Sequence, residues 1–444
     1  MIRRFFRLDE HGTSISTEIL AGATTFFTMA YIVIVNPAIL ADAVAKTTDL
    51  SSGEVSGALL TATVIAAFIG TALMGLYARR PFAVAPYMGE NAFVAFTVVL
   101  TLGFSYSEAM VAILIGGLLF VVLTVLGLRG YVVRAVPESL KYAFVVGIGL
   151  FLALIGLHEM GVVHVGVPGA PLRMGDLGEP ATILGIIAFV AMGILAYHRV
   201  PGGILIVIVA ITGVGALFGQ VEVPAELTGL PESPFALAFA FDFSSVATLG
   251  FLQVLLVVFL MDFLDTIGAL IGVSARAGLL DEHGNLPEIE KPLLCDAVAT
   301  VAGACMGTTT TGTFIESATG IESGGRSGLS AVVTALLFLP ALFFAPMIGA
   351  IPVFAYMPAL VLVGVLMLKP AARIPYDDIS EVIPAFATIV LMAFTYNIGV
   401  GMTAGLILYP VMKIAAGRWR EIHPALIPLS LISVLFFVFY PYEG

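Results

Sequence analysis

The chain has 444 residues, of which 59% are hydrophobic and 11% charged, and its mean hydropathy is +1.07. A soluble domain carries roughly 25% charged residues, so too few polar side chains exist to cover a water-facing surface, and a soluble globular protein is excluded. The net charge of -11 says little about partners; what matters in such a chain is where its cations lie.

Residues 1–17 are basic and polar and read as a cytoplasmic N-terminus. The apolar run that follows is too long for the core of a cleavable signal peptide. About 20 apolar residues cross the hydrocarbon core as a helix, and on that measure about 14 spans follow. In a first half, residues 18–242, they lie near Glu18–Ala41, Ser56–Ala78, Ala85–Thr101, Ser107–Leu128, Pro137–Leu157, Pro180–His198 and Gly202–Gly219. In a second half, residues 243–416, they lie near Val246–Val273, Pro292–Met306, Thr308–Ile321, Gly325–Pro346, Pro352–Leu368, Ile379–Asn397 and Gly399–Ala415. Residues 417–444 hold a further apolar stretch, Pro424–Tyr440, which is either interfacial or a fifteenth element.

With the N-terminus inside, Arg3, Arg4, Arg7, Arg79, Arg80, Arg129, Arg134, Lys141, Arg199, Arg276, Lys291, Arg326, Lys369, Arg373, Lys413, Arg418 and Arg420 all fall on the cytoplasmic side. Of the 19 basic residues only Lys46 and Arg173 fall outside. A missed span in the middle would reverse every later loop, so the agreement supports an even count up to Ala415.

The halves resemble each other weakly. Gly89-Glu90-Asn91-Ala92 in the third span answers Ile315-Glu316-Ser317-Ala318 in the tenth, and Pro137 at the fifth answers an interruption near Met357-Pro358 in the twelfth. Seven spans per half is odd, so the second copy enters from the opposite side, the inverted-repeat signature of many secondary transporters. Pro81, Pro86 and Gly89 break the third span. The run Gly307-Thr308-Thr309-Thr310-Thr311-Gly312-Thr313 breaks the tenth, because β-branched residues prefer extended backbone. Extended backbone at membrane depth must be buried in protein or line a cavity. The helices resuming near Asn91 and Ile315 then point their N-termini into it. The plainer alternative is two helices with loop-like ends near the membrane surface.

Ionisable residues at membrane depth mark pathways: Glu90, Asp262, Asp265, Asp296 and Glu316. Asp262 and Asp265 share a helix face that also carries Gly268 and Gly272, which would admit another backbone. A carboxylate accepts two hydrogen bonds from adjacent N–H groups of a ligand, and a buried one can bind a proton near neutral pH. The plainer role is to pin two helices together. Phe26, Phe27, Tyr31, Phe93 and Phe314 are candidates to stack on a planar base. Cys295 and Cys305 read as core residues of one span, and His158, Glu159 and His164 as a polar external loop without metal spacing.

Several motifs together resemble the AzgA-like purine permeases of the nucleobase–ascorbate transporter family. They are Glu18-Ile19-Leu20-Ala21-Gly22 with Phe26 to Tyr31 and Asn36-Pro37; Met88-Gly89-Glu90-Asn91-Ala92-Phe93; Asp262-Phe263-Leu264-Asp265-Thr266-Ile267-Gly268; and Thr313 to Glu322 continuing through Gly324-Gly325-Arg326-Ser327-Gly328-Leu329. The resemblance implies an all-α fold of two inverted seven-helix repeats, with a core of spans 1–4 and 8–11 and a gate of spans 5–7 and 12–14. It implies base-binding residues Glu316, Asp265 and Asn91, with Phe314 and Phe27 as aromatic candidates. Asp262, Asp296, Glu90 and Ser317 become supporting or proton-coupling residues. Many members carry Leu at Glu90, and often Thr at Gly312. The function implied is proton-coupled import of purine nucleobases across the cell membrane, with no cofactor, metal or nucleic acid, and a homodimer through the gate. The alternatives are a uracil/xanthine permease of the same fold and a sulfate-permease-like anion transporter. An enzyme is disfavoured: Gly307 to Gly312 has P-loop spacing but no following Lys. A channel is disfavoured by the broken helices.

Overall fold

The computed structural model describes residues 2–128, 135–167, 170–221, 224, 226–231, 233–280 and 286–438. Arg129, Arg134 and Tyr440, used in the sequence reading, lie outside them. Among the described residues nine helical segments are long and apolar enough to cross a membrane. The other five predicted spans are shorter or broken.

After a short helix α1 (Ile2–Phe5), the first span is two helices, α2 (Ile15–Met29) and α3 (Ile32–Thr47), joined at Ala30-Tyr31. The second is α4 (Ser52–Leu73), started by a capping box of Ser51 and Glu54 and prolonged by a π-helical turn, Met74–Ala78. The third is strand β1 (Val84–Pro86) and then α5 (Met88–Ala92), which widens into a π-helix at Phe93–Thr101. The fourth, α6 (Tyr106–Val125), opens on a second capping box, Ser105 with Glu108. Spans five to seven are α7 (Glu138–Glu159), α8 (Pro180–Tyr197) and α9 (Gly203–Leu217). The predicted external loop after α7 is instead a hairpin of β2 (Val163–Val167) and β3 (Ala170–Met174). Its Val-rich edges pair, and His158 Nδ1 lies 3.0 Å from the Val163 carbonyl.

In the second half, α10 (Leu249–Ala277) ends at Gly278 and α11 (Glu290–Met306) at Gly307, both with positive φ, the conformation a C-terminal glycine supplies without strain. Strand β4 (Thr311–Thr313) leads to α12 (Ser317–Glu322). The rest is α13 (Gly328–Phe338), α14 (Ala345–Gly349), α15 (Val353–Leu366), α16 (Ile379–Phe394), α17 (Ile398–Ala415) and α18 (Leu426–Val438). The interruption predicted near Met357-Pro358 is absent: α15 is continuous through Pro358. The proline sits in its second turn, where it deletes one backbone bond without ending the helix. The 13 described residues of α18 cover about 20 Å at 1.5 Å per residue. This helix docks on α17 and α10, with Gln253 Nε2 donating to the Leu435 carbonyl at 3.1 Å.

Two sets of helices pack mostly among themselves. In one, α2 packs on α13, α4 on α3, α11 and α13, and α6 on α10 and α11. In the other, α7 packs on α15 and α16, α8 on α9 and α15, and α16 on α17. Fewer contacts join the sets, α5 with α7 and α3 with α15 among them. The acid Glu18, fully buried, accepts the backbone N–H groups of Arg326 (2.9 Å), Ser327 and Ser330 (both 3.2 Å). It caps the N-terminus of α13, where free N–H groups and the helix dipole favour a negative charge.

Candidate functional site

The two broken spans meet. Strands β1 and β4 pair antiparallel with Val84 opposite Thr313, Ala85 opposite Gly312 and Pro86 opposite Thr311. Tyr87 N–H to the Thr310 carbonyl (3.1 Å) and Phe314 N–H to the Ala83 carbonyl (2.9 Å) extend the ladder at both ends. A two-stranded sheet has two unpaired edges, which lipid cannot satisfy. Threonines from flanking helices close both. Thr71 of α4 accepts the Val84 N–H at 2.9 Å and donates to its carbonyl at 2.8 Å. Thr300 of α11 accepts the Thr311 N–H at 3.1 Å. Its single hydroxyl proton is shared between the Thr311 carbonyl (3.0 Å) and Asp262 Oδ2 (3.3 Å). These helices are the second span of each half, so the same device serves both copies.

The acids divide by what they touch. Asp262 and Asp296 are buried and hold the β4 lead, Asp262 through Thr300 and Asp296 by accepting from Thr313 Oγ1 at 3.1 Å. Glu316 and Asp265 are half-buried. Glu316 stands just before α12, next to exposed Ile315, and accepts the Tyr31 hydroxyl at 2.6 Å. Tyr31 comes from the joint between α2 and α3, so the break in the first span delivers a donor to the acid of the tenth. The sequence reading weighed Tyr31 only as a stacking ring.

Glu90 is fully buried on α5, facing Asp265 and Asp262 of α10. Glu90 thus stands with Asp265. The half-helices begin away from the expected residues: α5 starts at Met88, three residues before the predicted Asn91, and α12 at Ser317, two after the predicted Ile315. The two acids hold unequal positions on their half-helices.

The aromatic residues sort the same way. Phe314, buried, stacks near-parallel to Tyr87 with ring centroids 6.0 Å apart and planes at 11°. Tyr87 donates to the Thr313 carbonyl at 3.1 Å. A Cβ on Gly312 would stand 2.2 Å from the Tyr87 ring, so Gly312 is what admits that ring. Tyr87 was missed; its place directly before the half-helix, like that of Phe314 after β4, was the available signal. Phe27 is 53% exposed and packs edge-on to Phe26, away from the carboxylates. It borders a cavity of about 180 Å³ with Thr24, Pro201, Gly202, Leu205 and Ile206, a lining without an ionisable group. Phe93 is buried in the core.

Asn91 is buried. Its amide donates to Asn36 Oδ1 and accepts from Thr309 Oγ1, while Asn36 donates to Thr63 (2.6 Å) and Thr308 (3.0 Å). This network ties the first, second, third and tenth spans together. Ser317 Oγ accepts the Ala83 N–H at 2.9 Å and so clamps the β1 lead onto α12. Gly268 and Gly272 face open space rather than another backbone, because the α10 stripe below Asp265 turns outward. Cys295 and Cys305 are both free thiols on α11. No cluster of metal ligands occurs among the described residues.

The arrangement offers hydrogen-bond acceptors and aromatic faces, and among the described residues no basic group acts on Glu90, Asp265 or Glu316. The chain is 39% identical over 439 residues to the adenine permease AdeP of Escherichia coli (strain K12), covering 99% of this chain and 96% of that one. It is 38% identical over 440 residues to the guanine/hypoxanthine permease PbuO of Bacillus subtilis (strain 168), covering 98% and 99%. Among solved structures it superposes on the transmembrane domain of the cyanobacterial bicarbonate transporter BicA with a TM-score of 0.62 at 18% identity, covering 88% of this chain and 97% of that one, a likeness of fold alone. Residues 16–406 match the Xan_ur_permease family, described as a permease family; the chain is a multi-pass membrane protein and belongs to that family.

Proposed function

We propose that this chain is a secondary transporter of purine nucleobases. The observation that carries the reading is Glu316, a half-buried acid at a helix break, held by Tyr31 at 2.6 Å with carboxylate acceptor capacity to spare, in a chain whose relatives are named for adenine and for guanine and hypoxanthine. Glu316 and Asp265 accept the N–H groups of the base, and the Tyr87–Phe314 pair offers it an aromatic face. Asp262, Asp296, Asn91 and Ser317 hold the two leads in place. The core of spans 1–4 and 8–11 carries the site, and the gate of spans 5–7 and 12–14 rocks against it to expose the site to each side in turn. The distribution of basic residues puts the N-terminus in the cytoplasm, and we place the chain in the cell membrane, as a homodimer through its gate. A proton is the coupled cation: Glu90 and Asp265 stand together, and among the described residues no basic group acts on either.

The test is uptake of labelled adenine, hypoxanthine, guanine, xanthine and uracil into proteoliposomes, with and without a pH gradient and with sodium absent. Uptake of a purine that the pH gradient drives supports the reading. Uptake restricted to uracil and xanthine, or to inorganic anions, overturns it.

A further inference from the structure

We infer that the coupling proton resides on the Glu90–Asp265 carboxyl pair, apart from the acid that grips the base. The inference rests on the transport reading above and adds to it the site of the proton and a way for proton and base to favour one another.

Glu90 is 0% exposed, and neither of its carboxyl oxygens receives a hydrogen bond from an N–H or O–H of the protein. An acceptor buried without a donor is costly. The group within hydrogen-bonding reach is another carboxyl, Asp265. Two ionised carboxylates offer each other only acceptors. One proton between them turns the contact into a charge-assisted O–H···O bond and leaves a single negative charge on the pair.

Among the described residues the surroundings supply no alternative counter-charge. On α10 the facing group besides Asp265 is Asp262, another acid, engaged by Thr300. On the β1 lead it is the Tyr87 phenol, which also lies in the field of Asp296 of α11. From α7 the contact at neighbouring Gly89 is the Ile148 side chain. From α3, Asn36 is engaged by Asn91. No Lys, Arg or His acts on Glu90.

Position divides the labour within the pair. Asp265 is half-buried and open toward the crevice, whereas Glu90 is sealed behind it. A base N–H that donates to Asp265 stabilises its carboxylate and so favours the proton on Glu90. A proton on Glu90 bonds the two carboxyls and leaves one charge, so a base that covers Asp265 displaces the water of one charge rather than two, and binds at lower cost. Coupling of this kind is reciprocal. No bond to the base forms or breaks; the proton passes only between carboxyl oxygens and the crevice. Glu316, bonded to Tyr31, takes no part in it.

The experiment uses the full chain in detergent and in proteoliposomes, with adenine and hypoxanthine as probes and Glu90→Gln, Asp265→Asn and Glu316→Gln as variants. Wild-type affinity should weaken with rising pH by up to about tenfold per unit while the pair loses its proton, the limit for one linked proton. In Glu90→Gln affinity should change by less than about twofold across the same range, since a permanently neutral partner removes the linkage. That variant should still exchange labelled for unlabelled base across the membrane yet lose accumulation driven by a pH gradient. Asp265→Asn should lose both. Infrared spectra give a readout that needs no transport: the C=O band of a protonated carboxyl should be present in wild type and absent from Glu90→Gln and Asp265→Asn. Gradient-driven accumulation or wild-type pH dependence in Glu90→Gln, a carboxyl band undiminished in both variants, or accumulation that requires sodium would overturn the inference. If the wild type neither binds nor exchanges a purine, the transport reading fails instead.

Discussion

Replacing Glu316 by Gln tests the binding acid with little disturbance of its surroundings. The amide keeps the shape of the side chain, and its oxygen can still accept the Tyr31 hydroxyl that now sits at 2.6 Å. What changes is the other side of the group, where a carboxylate oxygen becomes an N–H donor. A base N–H aimed there loses a hydrogen bond to a charged group, worth about 1.5–3 kcal/mol, and faces a donor it cannot pair with, which costs about 1–3 kcal/mol more. The combined loss of roughly 2.5–6 kcal/mol corresponds to about two to four orders of magnitude in Kd, at 1.4 kcal/mol per factor of ten. Calorimetric titration of purified protein with adenine, hypoxanthine and guanine measures it, and the thermal unfolding midpoint checks that the fold is intact. Affinity within about threefold of wild type in a protein that unfolds at the same temperature would refute the assignment, since it leaves less than 1 kcal/mol for the contact.

Tyr31→Phe removes only the hydroxyl that orients Glu316; one side chain must then be ordered on binding, at about 0.5–1.5 kcal/mol, so purine Kd should rise roughly 3–10-fold, and no change in a titration would contradict this role. Gly312→Ala places a Cβ 2.2 Å from the Tyr87 ring and should displace it, weakening base binding; paired with Tyr87→Ala the losses should be non-additive, and strictly additive losses in a double-mutant cycle would count against the contact. Lys413, 0% exposed, holds Glu381 at 2.6 Å and Glu421 at 2.8 Å, tying the residues after α17 to the start of α16. Lys413→Ala removes the buried ammonium and leaves part-buried Glu381 only the Ser139 and Tyr409 hydroxyls, while exposed Glu421 keeps Arg418; it should cost about 2 kcal/mol in chemical denaturation, and a loss below about 1 kcal/mol, the worth of a surface pair, would contradict it. Ser380 and Arg418 hold the Asp378 carboxyl down to about 2. The support it gives is complete above the ordinary aspartate range and is lost only as pH falls through that value, so the gap in unfolding temperature between wild type and Asp378→Asn should match at pH 5 and pH 8, and a gap that closes by pH 5 would contradict it.

The sequence made the membrane spans legible because hydropathy and length act locally, and it exposed the two breaks because prolines and a run of threonines disfavour a continuous helix wherever they sit. What it could not give was phase. The starts of α5 and α12 differ from the expected ones by two or three residues, and nothing local in the sequence marks Asp265 as the partner of Glu90. Side-chain partners formed across hundreds of residues were equally hidden. Asn91 looks like a free amide in sequence and is engaged by Asn36 and Thr309 in the fold. Tyr31 looks like a stacking ring and serves as a donor. Phe26 and Phe27 are adjacent on one helix and so point to different sides, which neither pattern nor composition could assign. Gly268 and Gly272 mark an outward face, although small residues at that spacing commonly mark a helix contact.

The central claim is that this chain carries purine bases across a membrane with a proton, and entry of labelled base into proteoliposomes measures it most directly. With the lumen alkaline and sodium absent, labelled adenine, hypoxanthine or guanine should accumulate above the external concentration, collapse when a protonophore dissipates the gradient, and fail to enter in Glu316→Gln. Vesicles that take up none of these bases beyond protein-free controls, under any gradient, would contradict the account.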